Sequence, residues 1–126
     1  MRISAIFMYN SHVMDIKALT KAMHQFVRDK GWYQPNTPRP QTPKNLAISL
    51  SIEAAEILEH FQWHDASPQP KQLEGELADV ALYLLQLASV CNIDLEKAIL
   101  EKLENNSFRA WDQSRKQDKD EHDNEN

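Results

Sequence analysis

At 126 residues the chain has room for one modest core, and its formal net charge of −5 excludes a surface that reads as a whole as a nucleic-acid groove. Its single cysteine, Cys91, excludes an internal disulfide and suits a reducing, cytoplasmic setting. Only two glycines, beside abundant Ala, Leu, Glu, Lys and Gln, favour an all-α fold, and no run of about 20 apolar residues is there to span a membrane.

The opening stretch Met1–Tyr9 is apolar behind Arg2 but too short for a signal peptide. Residues 1–14 read as an N-terminal arm, with Met14 as an alternative start. A first helix is expected from Asp15, its N-cap, to Lys30, with Gly31 as the stop. Leu19, Met23, Phe26 and Val27 form its apolar stripe. A loop over 31–43 carries four prolines, at 35, 38, 40 and 43. Thr42 then caps a second helix, with Pro43 at its first position, running to Trp63. Ser67-Pro68-Gln69-Pro70 breaks the chain. A third helix is expected over Gln72–Val90, and Asp94 caps a fourth over Leu95–Ala110. From Asp112 to Asn126 nothing is apolar, which predicts a disordered polar tail after a helical domain over 15–111.

On a wheel of the second helix, Leu46, Ala47, Leu50, Ala54, Ile57, Leu58 and Phe61 fill one arc. Ile48, Ile52 and Trp63 form a second apolar set. Two apolar surfaces on one helix of so small a protein point to burial against another subunit. The expected architecture is an antiparallel four-helix bundle completed by oligomerisation, as a homodimer or homotetramer.

Four acids interrupt this pattern. Glu53 and Glu56 on the second helix, and Glu76 and Asp79 on the third, are each spaced i, i+3 and leave nearly one face. The second pair lies in Leu77–Val90 or just before it, a stretch whose only polar residues are Asp79, Gln86 and Ser89, with Tyr83 amphipathic. Carboxylates bordering a packing surface need compensation. Between Asn45 and Glu96 there are nine Asp and Glu but one basic residue, Lys71. A divalent cation is the economical partner, and an all-oxygen donor set favours Mg²⁺, with Mn²⁺ as a substitute. Two such pairs on adjacent antiparallel helices can converge, hold the ion and leave room for water and phosphate oxygens. Residues and spacing thus predict a Mg²⁺-dependent enzyme of phosphate chemistry.

The order of the pieces is more specific. It runs Phe26, Arg28, Trp32; then Pro43-Lys44-Asn45-Leu46-Ala47; then Glu53-Ala-Ala-Glu56-Ile-Leu-Glu59-His-Phe61-Gln62-Trp63. Next come Glu76-Leu-Ala-Asp79-Val-Ala-Leu-Tyr83-Leu and Lys102-Leu-Glu-Asn-Asn106-Ser-Phe-Arg109. Over residues 15–111 this resembles the MazG-like, all-α nucleoside triphosphate pyrophosphohydrolases, in particular the dCTP pyrophosphatase branch. The resemblance implies hydrolysis of a (deoxy)nucleoside triphosphate to its monophosphate and pyrophosphate, favouring pyrimidine deoxynucleotides such as dCTP, in nucleotide-pool housekeeping. It makes Glu53, Glu56, Glu76 and Asp79 the metal ligands, with Glu59 as a neighbouring catalytic acid that orients water or a second ion. It makes Lys44, Lys102 and Arg109 phosphate contacts, Asn45 and Asn106 polar contacts, Tyr83 a sugar or phosphate contact, and Trp32 and Trp63 base-stacking residues. The sequence departs from the family pattern in a longer loop over Tyr33–Thr42 that lacks a histidine, in Ala55, and in Arg109-Ala110-Trp111.

Blander readings stand beside these. Glu59 reads equally as part of a solvated face, Trp32 as a helix-end core residue, Trp63 as an interface plug, and His60 and His64 as surface residues. The partners implied are the nucleotide and further copies of the chain, with no nucleic-acid polymer and no membrane. The alternative to an enzyme is a non-catalytic helical module that dimerises through its second and third helices. A di-iron carboxylate bundle would need Glu-x-x-His pairs, and none is present.

Overall fold

The structure, a computed structural model, describes residues 14–63 and 69–109. Four helices follow one another: α1 (Ile16–Asp29), α2 (Pro43–Glu59), α3 (Pro70–Val90) and α4 (Leu95–Ser107). No strand occurs among the described residues, so the all-α expectation holds. The expected arm over 1–14, but for Met14, and the polar tail from Asp112 lie outside the described residues. No single helix among the described residues is long and apolar enough to cross a membrane.

Contacts divide the chain into two compact units, Met1–Leu95 and Glu96–Asn126. In the first, α3 packs against both α1 and α2. Helices α2 and α3 run antiparallel. Gln41, just ahead of α2, meets Gln86 late in α3, whereas His60, just past α2, meets Glu76 early in α3. The core is small and one-ended: Met23 and Val27 from α1, Leu46 from α2, and Leu85 and Ala88 from α3, with Gln86 as a buried polar member. Of the arc expected on α2, Leu46 is 1% exposed, but Leu58 remains 70% exposed. The second set, Ile48 and Ile52, is open as well.

Local chemistry sets the helix ends. Asp15 accepts the Ala18 N–H at 2.7 Å and starts α1. Gly31, at φ 72°, stops it, and the Trp32 N–H returns to the Val27 carbonyl at 3.2 Å. Thr42 Oγ1 accepts the Asn45 N–H at 3.2 Å, with Pro43 in the first turn of α2. α2 ends at Glu59, short of the expected Trp63. The N–H groups of His60, Phe61 and Gln62 bond three residues back rather than four, which tightens the chain into turns. α3 starts at Pro70, earlier than expected. A proline read as a breaker instead serves as the first helical residue, where its missing N–H costs nothing. Asn92, at φ 56°, ends α3, and the Ile93 N–H reaches the Ala88 carbonyl at 2.8 Å. In the second unit α4 stops at Ser107, whose hydroxyl donates to the Glu104 carbonyl at 2.6 Å. The expectation for α4 ran on to Ala110.

Candidate active site

The antiparallel contact of α2 with α3 brings Glu53, Glu76 and Asp79 together. One ligand oxygen from each lies within 4.8 Å of the others, a spacing fit for a metal ion. Glu53 and Glu76 are half-buried and Asp79 is exposed. The Oε2 atom of Glu53 is sealed from solvent without a hydrogen-bond partner. Burial above all pushes the Glu53 carboxyl above its ordinary value, followed by a hydrogen bond and charge from Glu56, then the charges of Asp79 and Glu76. Glu56, half-buried, thus joins the cluster through Glu53. Lys71 does not neutralise it, being paired with Glu74 at 3.5 Å on the surface. An orphaned buried oxygen among converging carboxylates fits a hard divalent cation.

One contact to the cluster was not expected. His60, read as a surface residue, is half-buried, and its Nε2 lies 3.4 Å from Glu76 Oε1. The signal was in the spacing, because His60 follows Glu53 by seven residues and so shares its face.

Beside the acids lies a cavity of about 480 Å³ between α1 and α3, lined by Phe26, Trp32, Asp79 and Tyr83 among others. Trp32 and Tyr83 also border a second cavity of about 280 Å³, walled by the 38–41 loop and Asn45. The larger of these two cavities lies where α1 and α3 leave Leu19, Phe26 and Leu82 incompletely covered. A half-buried polar chain links α1, the following loop and α3. His24 Nδ1 meets Tyr33 Oη at 2.6 Å and its Nε2 meets Ser89 Oγ at 2.6 Å. Burial, then the charge of Arg28, hold His24 below its ordinary value, so the imidazole is neutral and donates through one nitrogen only.

A family model described as MazG-like matches residues 48–123. The chain belongs to the MazG-like family. A solved pyrophosphatase structure from Archaeoglobus fulgidus DSM 4304 is 34% identical, with a TM-score of 0.66, covering 81% of this chain and 97% of that one. The chain is also similar to dCTP pyrophosphatase 1 of Rattus norvegicus, 38% identical over 94 residues, which make up 68% of this chain and 52% of the rat protein. The Homo sapiens protein of the same name is 36% identical over the same shares. The chain therefore spans about half the length of the curated relatives it matches.

In this MazG-like chain the other expected residues are distributed as follows. Glu59 is exposed at the end of α2. Trp63 is 81% exposed just beyond it. Lys44 is exposed and flanks an apolar groove shared with Ile48 and Ile52. Asn45 donates through Nδ2 to the Pro40 carbonyl at 2.9 Å and so braces the loop. Lys102 and Asn106 stand one turn apart on α4, with Arg109 just past its end; they belong to the second unit. The Oδ1 atom of Asn106 is buried with no hydrogen-bond partner. Residues missed from sequence are His24, Tyr33, Arg39, Gln41 and Gln86. Only Gln86 left a signal, as an amide inside an apolar helix that must find partners.

Proposed function

We propose that this chain hydrolyses (deoxy)nucleoside triphosphates to nucleoside monophosphate and pyrophosphate, with Mg²⁺ as cofactor and Mn²⁺ as substitute. The single observation that carries the reading is the convergence of Glu53, Glu76 and Asp79 within 4.8 Å at the edge of an aromatic-walled cavity. Similarity to dCTP pyrophosphatase 1 supports a pyrimidine deoxynucleotide such as dCTP as the favoured substrate, and a housekeeping role in the cytoplasmic nucleotide pool.

Glu53, Glu56, Glu76 and Asp79 would hold the ion. When bound, it supplies charge neutralisation at the phosphates and lowers the pKa of the attacking water. Glu59 orients that water for in-line attack at the α phosphorus, so that pyrophosphate leaves. Trp32 and Trp63 stack on the base, and Tyr83 meets the sugar or phosphates. Lys44, Lys102 and Arg109 contact phosphate, and Asn45 and Asn106 add polar contacts. The open apolar face of α2, Ile48 with Ile52, supports assembly into a homodimer or homotetramer.

The test is a panel of nucleotides incubated with Mg²⁺, with products identified by chromatography. Monophosphate plus pyrophosphate is the expected result. Orthophosphate as first product would point to a different phosphatase, and no turnover of any nucleotide would leave the helical interaction module.

A further inference from the structure

One buried amide of α3 reaches both ends of the loop between α1 and α2. Gln86 is 3% exposed, and its Nε2 donates to Tyr33 Oη at 3.2 Å and to Gln41 Oε1 at 2.8 Å. Those two acceptors sit at opposite ends of the loop, so one side chain of α3 ties down both. Between them, Arg39 is fixed twice along its backbone. Its N–H donates to Thr37 Oγ1 at 3.1 Å, and its carbonyl accepts from Gln41 Nε2 at 2.7 Å. Flanking prolines at 38 and 40 limit the remaining freedom.

The side chain so held has a defined target. The Arg39 guanidinium lies over the Trp32 ring, 5.4 Å from its centroid. Phe26 meets the same indole edge-on, with centroids 5.8 Å apart and planes at 88°. Trp32 is therefore held between Arg39 and Phe26 and shared as a wall by the two cavities. Arg39 lines the smaller cavity with Trp32, and Phe26 and Asp79 line the larger one with it.

We propose that Arg39 is a positioning residue for base selection: it acts through Trp32, clamping the indole so that the stacking wall is already set before the substrate arrives. This rests on the nucleotide reading above. A wall fixed in advance spares the ordering cost that binding would otherwise carry, and holds the slot at one width. Loss of the clamp leaves a wall that yields to bases of other sizes. The contacts described for Arg39 are with Trp32, Thr37 and Gln41 and not with the acids, so the chemical step is expected to be spared.

The experiment measures steady-state kinetics of the 126-residue chain and its R39A, R39K and Q41A variants with each of the four common deoxynucleoside triphosphates. R39A is expected to raise KM for the preferred nucleotide by about 3- to 10-fold, with kcat within about twofold, and to flatten the ratio between pyrimidines and purines. R39K should recover part of the loss, since an ammonium also sits over an indole. Q41A should move KM in the same direction as R39A, because it frees the Arg39 carbonyl and one loop anchor. Unchanged KM and base ratios in an active R39A would overturn the proposal. So would a fall in kcat at constant KM, which would make Arg39 a contact of the reacting phosphates. A wild-type chain that turns over no nucleotide would overturn both this proposal and the reading beneath it.

Discussion

The imidazole of His60 lies against the carboxylate of Glu76, Nε2 to Oε1 at 3.4 Å, so the turn that ends α2 touches an acid on α3. The contact orients Glu76 toward Glu53 and Asp79. Replacing His60 with leucine is expected to weaken divalent-ion binding by up to about tenfold, the scale for residues that orient a ligand. Mn²⁺ titration followed by electron paramagnetic resonance reads this directly. Unaltered Mn²⁺ affinity would reduce His60 to a bystander.

Glu76→Gln and Asp79→Asn keep shape and remove charge. Each is expected to cut turnover by more than about 100-fold, because metal-assisted stabilisation is worth several kcal/mol at the transition state. Metal-free thermal stability should stay level or rise, since three close carboxylates repel. Full Mg²⁺-dependent activity in either variant would remove that residue from the ligand set.

The Glu53 carboxyl sits above its ordinary value of 4.5, first through burial and then through its acidic neighbours. A raised carboxyl binds its proton more tightly in the folded than in the unfolded chain. Its contribution is therefore fully present below the unfolded value and is lost as pH rises through the folded one. The metal-free wild type should lose melting temperature relative to Glu53→Gln as pH climbs from 4.5 upward. Parallel melting curves for the two across that window would count against the assignment.

On the proposed function, Mg²⁺ is expected to relieve the same repulsion. At about 100 times Kd, ligand binding to the folded state alone contributes roughly 2.7 kcal/mol, a shift of several degrees in Tm. Sodium chloride at matched ionic strength should give a smaller rise, since screening does not fill a coordination site. Equal shifts from the two salts would argue against a bound ion.

Leu46 is 1% exposed and is one of five buried apolar core residues among the described residues. Leu46→Ala is expected to cost about 2–5 kcal/mol. Urea denaturation followed by circular dichroism measures it. A loss under 1 kcal/mol would mean that neighbouring side chains collapse into the space.

What could be read from the sequence was what depends on near neighbours along the chain. The caps at Asp15 and Thr42, the stop at Gly31 and the i, i+3 acid pairs are all local, and the helices and the acid cluster followed from them. Boundaries slipped where one residue type serves two roles. Pro70 starts a helix rather than breaking the chain, and α2 tightens into turns before Trp63. Contacts between distant segments stayed hidden. His24 with Ser89 spans 65 residues and Gln86 with Gln41 spans 45, and no periodicity encodes such pairings. The wheel of α2 records which residues share a face, and within the first unit it is Leu46 that is buried there.

Trp32 takes its direction from main-chain geometry: it follows the left-handed residue Gly31, and its own N–H is tied back to Val27. The backbone of Trp32 is thus anchored to α1 before the loop begins. On the proposed reading, a different segment between Tyr33 and Thr42 would change how Arg39 steadies the indole while the attachment of Trp32 to α1 stays, so exchange of a surface loop is expected to retune ligand preference without refolding the domain.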